Sequence, residues 1–404
     1  MSLFAPIRGL CPRPEAAAAI AELPYDVMSR DEAIAMAAGR PHSFLHVSRP
    51  DIDLPDGAAD DGPQAYQLAA AALSHLRQQA LLVRRDVAGY HAYRLTSGSH
   101  QQTGVVGGAS VAAYDAGRIR RHETTRPAKQ ADRAAHIEAV GAQTGPAFLI
   151  HRPSAEVAAV VTAVTTDPAP IVVDHRGVRH ELWPIEAPDQ VARLEQAFEA
   201  MPLLYIADGH HRSAAASMVH ARRGTAASGA FLAVAFPSDE VAILPYNRVA
   251  RAPLGMTAED LVDAVSGRLE VTPADGPVTP GQGGRFGMYA AGRWYRLEAP
   301  DHLTDTDDAV DRLDVSVLQQ RVLGPVLGIG DPRTDPRIGF VGGVRPPEEL
   351  SAAVDSGAWS VAFTLHATTV AELLDVADAG GIMPPKSTWF EPKLLDGLVS
   401  HVLD

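Results

Sequence analysis

Cysteine is almost absent from this sequence: Cys11 is the only one among 404 residues. This excludes an intrachain disulfide framework and any cysteine-rich zinc site. No apolar run approaches the ~20 residues that a membrane-spanning helix needs, and the chain does not open on a basic segment followed by an apolar core. We therefore expect a cytoplasmic protein with no membrane partner.

Positive charge is also scarce. The chain carries 49 acidic and 35 basic residues, a formal net charge of −14, which argues against a nucleic-acid partner. Lysine is scarcer still, because arginine fills every basic position except Lys129, Lys386 and Lys393. All three occur in motif-like stretches, so we expect them where a compact ammonium group is needed rather than a guanidinium fork.

The remaining composition, 46% hydrophobic and 21% charged residues, is that of a globular protein. Strand-like and helix-like segments alternate along the chain, with strands predicted at 88–96, 103–114, 146–151 and 158–165 and a helix at 187–200. The pattern predicts an α/β fold (α+β mixed) of mixed sheets with flanking helices. We expect two domains, an α/β region over 1–250 and an α+β region over 251–404.

The most informative stretch is 202–216. An apolar run of strand length breaks at Asp208, and an alanine-rich helix follows. A helix N-terminus offers free backbone N–H groups to anions, and Arg212 adds a fork that suits phosphate or carboxylate. His210 and His211 can move protons near neutral pH. The turn predicts an anion-binding catalytic site; the alternative is an ordinary helix start capped by Asp208.

Two further polar stretches carry the scarce lysines. Residues 120–133 combine an acid, a histidine, hydroxyls and several cations, and Pro127 places part of them in a loop or first helical turn. Residues 380–393 form a proline- and glycine-stiffened loop. Its Lys-Ser-Thr lacks the glycine frame of a P-loop, and no dinucleotide, hydrolase or zinc-protease motif is present.

Four motifs together resemble a large bacterial and archaeal family known only as a domain of unknown function. They are Pro-Tyr-Asp-Val at 24–27, Arg-His-Glu-x-Thr at 121–125, Asp-Gly-His-His-Arg at 208–212, and Met-Pro-Pro-Lys-Ser-Thr-x-Phe-x-Pro-Lys at 383–393. The resemblance spans nearly the whole chain. Many relatives continue the third motif with Tyr-Glu-Thr-Ala, whereas this chain has Ser-Ala-Ala-Ala at 213–216, so no role of that tyrosine or glutamate transfers.

The histidine turn is also similar to the phosphate-binding turn of the ParB and sulfiredoxin superfamily, which includes free-serine kinases. Relatives of the family are often associated with serine biosynthesis. The resemblance implies a ParB/sulfiredoxin-like strand–turn–helix at the core and chemistry on serine or phosphoserine. The hypothesis is phosphoryl transfer to the hydroxyl of free L-serine from ATP, ADP or pyrophosphate, or its reverse, which needs positive charge around the transferred group.

The site hypothesis assigns two roles. Proton transfer is assigned to Glu123, Asp208, His210 and His211. Phosphate or substrate binding is assigned to Tyr25, Asp26, Arg121, His122, Thr125, Lys129, Arg133, Gly209, Arg212, Asn247, Arg248, Lys386, Ser387, Thr388 and Lys393. We expect these residues to converge on one cavity. Mg²⁺ would bridge phosphate oxygens to one or two carboxylates, although the sequence identifies no metal ligand.

Two other functions fit the same residues. One is hydrolysis of phosphoserine, and the other is a regulatory protein that binds an anionic metabolite without turnover. The sequence also leaves open a homo-oligomer.

Overall fold

A computed structural model describes residues 2–55, 62–303 and 305–404 and divides the chain into two compact units. The first unit runs to Val241 and also takes Pro392–Asp404, and the second is Ala242–Glu391. The expected domains over 1–250 and 251–404 stay a prediction. The C-terminal segment belongs to the first unit, where its last strand pairs with Ala142–Gln143.

The described strands and helices fall into these two units, the first holding β1–β12, β21 and α1–α9. The strands are β1 (Phe4–Ala5), β2 (Leu10–Pro12), β3 (Leu82–Arg84), β4 (Tyr90–Ser97), β5 (His100–Ser110), β6 (Ile119–Arg120), β7 (Ala142–Gln143), β8 (Ala147–His151), β9 (Ile171–His175), β10 (Val178–Ile185), β11 (Leu204–Asp208), β12 (Ala230–Pro237), β13 (Ala242–Leu244), β14 (Tyr246–Ala250), β15 (Glu270–Ala274), β16 (Arg285–Ala290), β17 (Arg293–Glu298), β18 (Ile338–Gly342), β19 (Val361–Leu365), β20 (Trp389–Glu391) and β21 (His401–Val402). The α-helices are α1 (Ala17–Ile20), α2 (Arg30–Ala37), α3 (Leu45–Ser48), α4 (Pro63–Gln78), α5 (Val111–Asp115), α6 (Pro127–Val140), α7 (Ala155–Val164), α8 (Pro188–Glu199), α9 (His210–Arg223), α10 (Ala258–Ser266), α11 (Asp314–Leu318), α12 (Pro347–Asp355) and α13 (Val370–Asp378).

A mixed sheet organises the first unit, in the order β6-β11-β8-β12-β5-β4-β10-β9 with β1 on β5. The pairs β6–β11 and β8–β12 are parallel and the others are antiparallel. The expected α/β class with mixed sheets is therefore confirmed. Apolar residues of α7 and α8 pack on the sheet in one core cluster, and α6 packs with α9 in another. Burial of these apolar surfaces is the main force that holds the layers together.

The strand–turn–helix at 204–223 lies within this unit as predicted. A register shift between Ile206 and Asp208 interrupts the pairing of β11 with β8, and such a bulge redirects the side chains that follow it. Gly209 then turns the chain with a φ of +94°. A Cβ at this position would lie 3.1 Å from the Cα of Ala147 and 3.1 Å from Nε of Arg212. Only glycine meets both constraints.

The second unit is built on an antiparallel sheet in the order β15-β17-β16-β19-β14-β18, and β13 pairs with β20 separately. Its apolar cluster joins Trp294 on β17 and Ala362 on β19 to Leu350 on α12. Helix α11 continues into one π-helical turn at Gln319–Leu323.

Two strand predictions are wrong: the segment 158–165 is not a strand, and the strand predicted at 103–114 ends earlier than expected. The segment predicted as a strand at 158–165 belongs to α7, because Ser154 caps a helix whose buried Val157 and Val160 lie one turn apart. The strand predicted at 103–114 ends at Ser110, whose side chain accepts from the N–H of Ala113 and starts α5. No helix among the described residues is long and apolar enough to cross a membrane.

Replacing Gly209 with alanine is expected to destabilise the first unit more than a matched change at the other end of α9. Gly224 also has a positive φ, of +61°, but a Cβ there meets nothing within 4 Å. Gly224→Ala should lower the free energy of unfolding by about 1 kcal/mol through backbone strain alone. Gly209→Ala should lower it by roughly 2–3 kcal/mol because Ala147 and Arg212 must also move. Urea unfolding measures both; equal losses would contradict the close approach.

Candidate functional site

The carboxylate of Asp208 joins three parts of the first unit. It stands at the end of β11, accepts from the ammonium of Lys393 in the C-terminal segment (3.3 Å), and accepts from Nη2 of Arg212 on α9 (3.3 Å). Burial alone would raise the pKa of Asp208, but Lys393 and Arg212 outweigh it and hold the pKa below its usual range. Asp208 is therefore ionised at neutral pH and is a weak base.

The two Nη groups of Arg212 have polar partners, whereas its Nε–H has none among the described residues. Its Nη2 also lies 3.9 Å from the carboxylate of Asp26, and Nη1 donates to the carbonyl of Pro146. Burial opposes its charge, yet Asp26 and Asp208 raise its pKa further. The buried Nε–H has no hydrogen-bond partner among the described residues, next to the side of Gly209 that lacks a Cβ. Such an orphaned donor is the group that an anion would satisfy.

Two buried histidines meet beside this cluster. The rings of His122 and His210 lie edge to face with centroids 4.5 Å apart. Nε2 of His210 accepts from the backbone N–H of His122 (3.5 Å), so its proton resides on Nδ1, which lies 3.6 Å from a carboxylate oxygen of Glu123. Burial and the neighbouring His122 lower the pKa of His210, and burial lowers that of His122 to about 4. Both rings are neutral at pH 7.

His211 faces the start of α6. Its Nε2 accepts from the backbone N–H of Arg126 (3.1 Å), and burial together with Lys129 lowers its pKa. Pro127 occupies the first turn of α6 as predicted, which leaves 121–126 as a loop. Within it, the hydroxyl of Thr125 accepts from Gln130.

Arginine stacking orders the rest of this cluster. The guanidinium of Arg133 lies 4.3 Å from the ring centroid of Tyr25, and its Nε donates to Asp132 (2.8 Å). The guanidinium of Arg121 lies 5.4 Å from the ring of Tyr114. These contacts hold planar cations in place by cation–π attraction.

A second set of predicted residues lies in the second unit. Arg248 is buried, and its guanidinium donates only to the carbonyls of Tyr246 and Pro385, with no carboxylate partner among the described residues. Burial lowers the pKa of Arg248 to about 10. Lys386 has a left-handed φ of +57° and places its Nζ 5.5 Å from the Tyr246 ring.

The remaining residues of this second set make structural contacts. The amide oxygen of Asn247 accepts from the N–H of Leu365, and the hydroxyl of Ser387 donates to the carbonyl of Pro384. Thr388 precedes β20 and is partly buried. The convergence of both sets on one cavity stays a prediction.

Sequence reasoning missed Asp396. Its side chain is 1% exposed, and a Cβ added at Gly145 would lie 3.1 Å from its Oδ1 and 3.5 Å from Cδ of Arg212. The available signal is its position three residues after Lys393 within 394–399, where every other residue is leucine, valine or glycine.

The first unit thus defines an α/β protein whose strand–turn–helix corner brings together cations, the ionised carboxylate of Asp208 and neutral histidines. The chain belongs to the family described as "Protein of unknown function (DUF1015)", which matches residues 4–316. No curated protein matches it.

Several solved structures are similar at low identity. Free serine kinase in complex with AMP has 13% identity and a TM-score of 0.35, covering 71% of this chain and 86% of its own. A conserved hypothetical protein from Pyrococcus furiosus has 13% identity and a TM-score of 0.35, covering 72% and 93%. SbnI with C-terminal truncation from Staphylococcus aureus has 12% identity and a TM-score of 0.39, covering 72% and 85%.

The buried histidines predict a loss of stability in mild acid. The pKa of a histidine is near 6.5 in the unfolded chain, whereas burial lowers that of His122 to about 4 in the folded state. Because the unfolded chain binds the proton more readily, protonation favours unfolding as the pH falls from 6.5 to 4. The free energy of unfolding of the wild type should fall as the pH is lowered from 6.5 to 4. In His122→Gln this fall should be smaller by up to about 3 kcal/mol. Urea titrations of both proteins across this range measure it. An unchanged pH slope in the variant would show that His122 is not buried neutral.

Proposed function

We propose that the protein transfers a phosphoryl group between a phosphate donor and the hydroxyl of free L-serine. The observation that carries the proposal is the buried Nε–H of Arg212 near the N-terminus of α9, which no described residue accepts and which lies beside the Glu123–His210 pair. The first is a donor that suits an anion, and the second is a carboxylate that lies near an imidazole nitrogen. An anion site beside a base is the minimum that phosphoryl transfer requires.

Glu123 is the better of the two predicted bases. Asp208 is stabilised in its ionised form by Lys393 and Arg212, so it has little tendency to accept a proton. Glu123 is partly exposed, and one of its carboxylate oxygens lies 3.6 Å from Nδ1 of His210. In the proposed step the serine Oγ attacks phosphorus, the bond from phosphorus to the donor's bridging oxygen breaks, and the hydroxyl proton passes to Glu123.

Positive charge for the phosphates would come from residues that already surround this turn. Arg212 and Lys393 flank Asp208, and Lys129 lies near enough to depress the pKa of His211. Arg248, a buried guanidinium with no carboxylate partner among the described residues, and Lys386 stay predictions as phosphate ligands. ATP, ADP and pyrophosphate are the donors to test.

Magnesium fits this proposal only as a phosphate-bridging ion. The described residues contain no group of three or more histidine, cysteine or acidic side chains that could hold a metal. Asp26 and Asp208, which both approach Nη2 of Arg212, are the carboxylates that would hold Mg²⁺ beside a bound phosphate. When bound, the ion would neutralise charge on the transferred group.

The reaction is tested by incubating the purified protein with L-serine and each donor in turn, with and without Mg²⁺, and measuring phosphoserine by mass spectrometry. We expect phosphoserine with at least one donor. Glu123→Gln should lower kcat by about 10²–10⁴-fold with little change in the KM of the donor, since a general base acts in the transition state.

Glu138→Gln is the matched control, because Glu138 pairs with Arg222 on the outer side of α6 and should not affect turnover. Absence of phosphoserine with every donor would end the transferase proposal. Phosphate release from phosphoserine without an acceptor would favour a hydrolase, and binding without turnover would favour a metabolite-binding protein.

A further inference from the structure

A small cavity lies in the first unit next to the Asp208 cluster. It has about 30 Å³ of water-accessible space and is lined by Tyr25, Arg133, Thr144, Gly145, Arg212 and Asp396, among others. This volume suits about two water-sized groups. The cavity can therefore accommodate one polar end of a small molecule.

Asp396 presents an unsatisfied acceptor in this cavity. The side chain is 1% exposed, and its Oδ1 has no hydrogen-bond partner within the part of the chain that the structure describes. A buried carboxylate oxygen without a partner is costly, and a bound cationic N–H donor would relieve that cost. Burial raises the pKa of Asp396 to about 7, with Arg212 opposing the rise and Asp26 adding to it. A cation in the cavity would therefore stabilise the ionised form.

Of the two neighbouring cations, Arg212 keeps one donor, its buried Nε–H, without a hydrogen-bond partner among the described residues. Arg212 lies against Asp208 and Asp26, and Arg133 donates to Asp132 while stacking on Tyr25. Arg133 also lines the cavity, so the carboxyl group of Asp396 and the guanidinium group of Arg133 face the same small space. That pairing matches the zwitterionic head of an α-amino acid, whose ammonium and carboxylate are carried on a single carbon.

Gly145 leaves space beside Oδ1 of Asp396 because it has no side chain. A Cβ at this position would lie 3.1 Å from Oδ1 of Asp396, inside ordinary contact distance. Its φ is not in the left-handed region, so its lack of a side chain is explained by space rather than by backbone conformation. The glycine therefore leaves open the approach to Oδ1.

We infer that this cavity is the subsite for the α-ammonium group of an amino-acid substrate, with Oδ1 of Asp396 as its acceptor and Arg133 facing the α-carboxylate. The inference rests on the proposed function and specifies how its acceptor, a free amino acid, is held. Asp396 acts here as a binding residue and takes no part in the bond changes.

The test compares ligands that differ only in the ammonium group. Calorimetry on the full chain measures the affinity for L-serine and for 3-hydroxypropionate, which lacks the amine, at pH 8. We expect the wild-type protein to bind L-serine at least tenfold more tightly. In Asp396→Asn this preference should fall below about threefold, because the neutral amide no longer favours a cation.

A matched control is Asp314→Asn in the second unit. Asp314 is a partly buried carboxyl whose pKa burial raises to about 6; one of its oxygens accepts from Gly284, and the other has no partner among the described residues. This variant should keep the preference for L-serine. Gly145→Ala supplies a second variant should Asp396→Asn fail to fold, and it should weaken serine binding at least fivefold while leaving the charge of Asp396 in place.

The possible results distinguish a failure of the proposed subsite from a failure of the proposed phosphoryl transfer. If the wild type makes phosphoserine but Asp396→Asn and Gly145→Ala keep the full preference, the subsite is overturned and the transferase stands. If the preference for the amine depends on Asp396 but no donor yields phosphoserine, the subsite is supported and the transferase fails. If the wild type binds neither compound, or both equally, the subsite is overturned.

Discussion

The carboxylate of Asp208 is the point on which the first unit's site depends. It accepts from Arg212, one turn into the helix that follows it, and from Lys393, which comes 185 residues later in the chain. Because an ionised carboxylate in a partly buried position needs cationic partners, these bonds hold the strand end, the helix start and the C-terminal segment in one arrangement. The neutral histidines and Asp396 lie around that arrangement.

Backbone geometry makes the contact with Arg212 available. The bulge in β11 and the left-handed Gly209 turn the chain so sharply that the helix begins against Ala147 of the neighbouring strand. A side chain at residue 209 would occupy the space next to Nε of Arg212. The same glycine thus forms the turn and leaves a buried N–H uncovered, which is why we place the anion there.

Local features of this fold could be predicted from the sequence. The strand–turn–helix at 204–223 and the proline at the start of α6 depend on neighbouring residues, and the structure has both. The misassigned segment at 158–165 also has a local cause, since its β-branched valines favour strands while the cap at Ser154 and the one-turn spacing of buried residues favour a helix.

Long-range contacts could not be predicted in the same way. Nothing near Lys393 in the sequence indicates that it pairs with Asp208, and Asp396 resembles an ordinary polar residue until its burial is known. As candidate bases, Glu123 and Asp208 are likewise equivalent in the sequence. They separate only when the cations on Asp208 and the imidazole beside Glu123 are seen.

A double-mutant cycle on unfolding tests the central contact most directly, using Asp208→Asn, Lys393→Met and the combined variant. The account predicts that the free energies of unfolding are not additive, with a coupling between the two side chains of about 1 kcal/mol or more. Additivity within about 0.3 kcal/mol would show that Lys393 does not stabilise the Asp208 carboxylate, and the site as described would lose its centre.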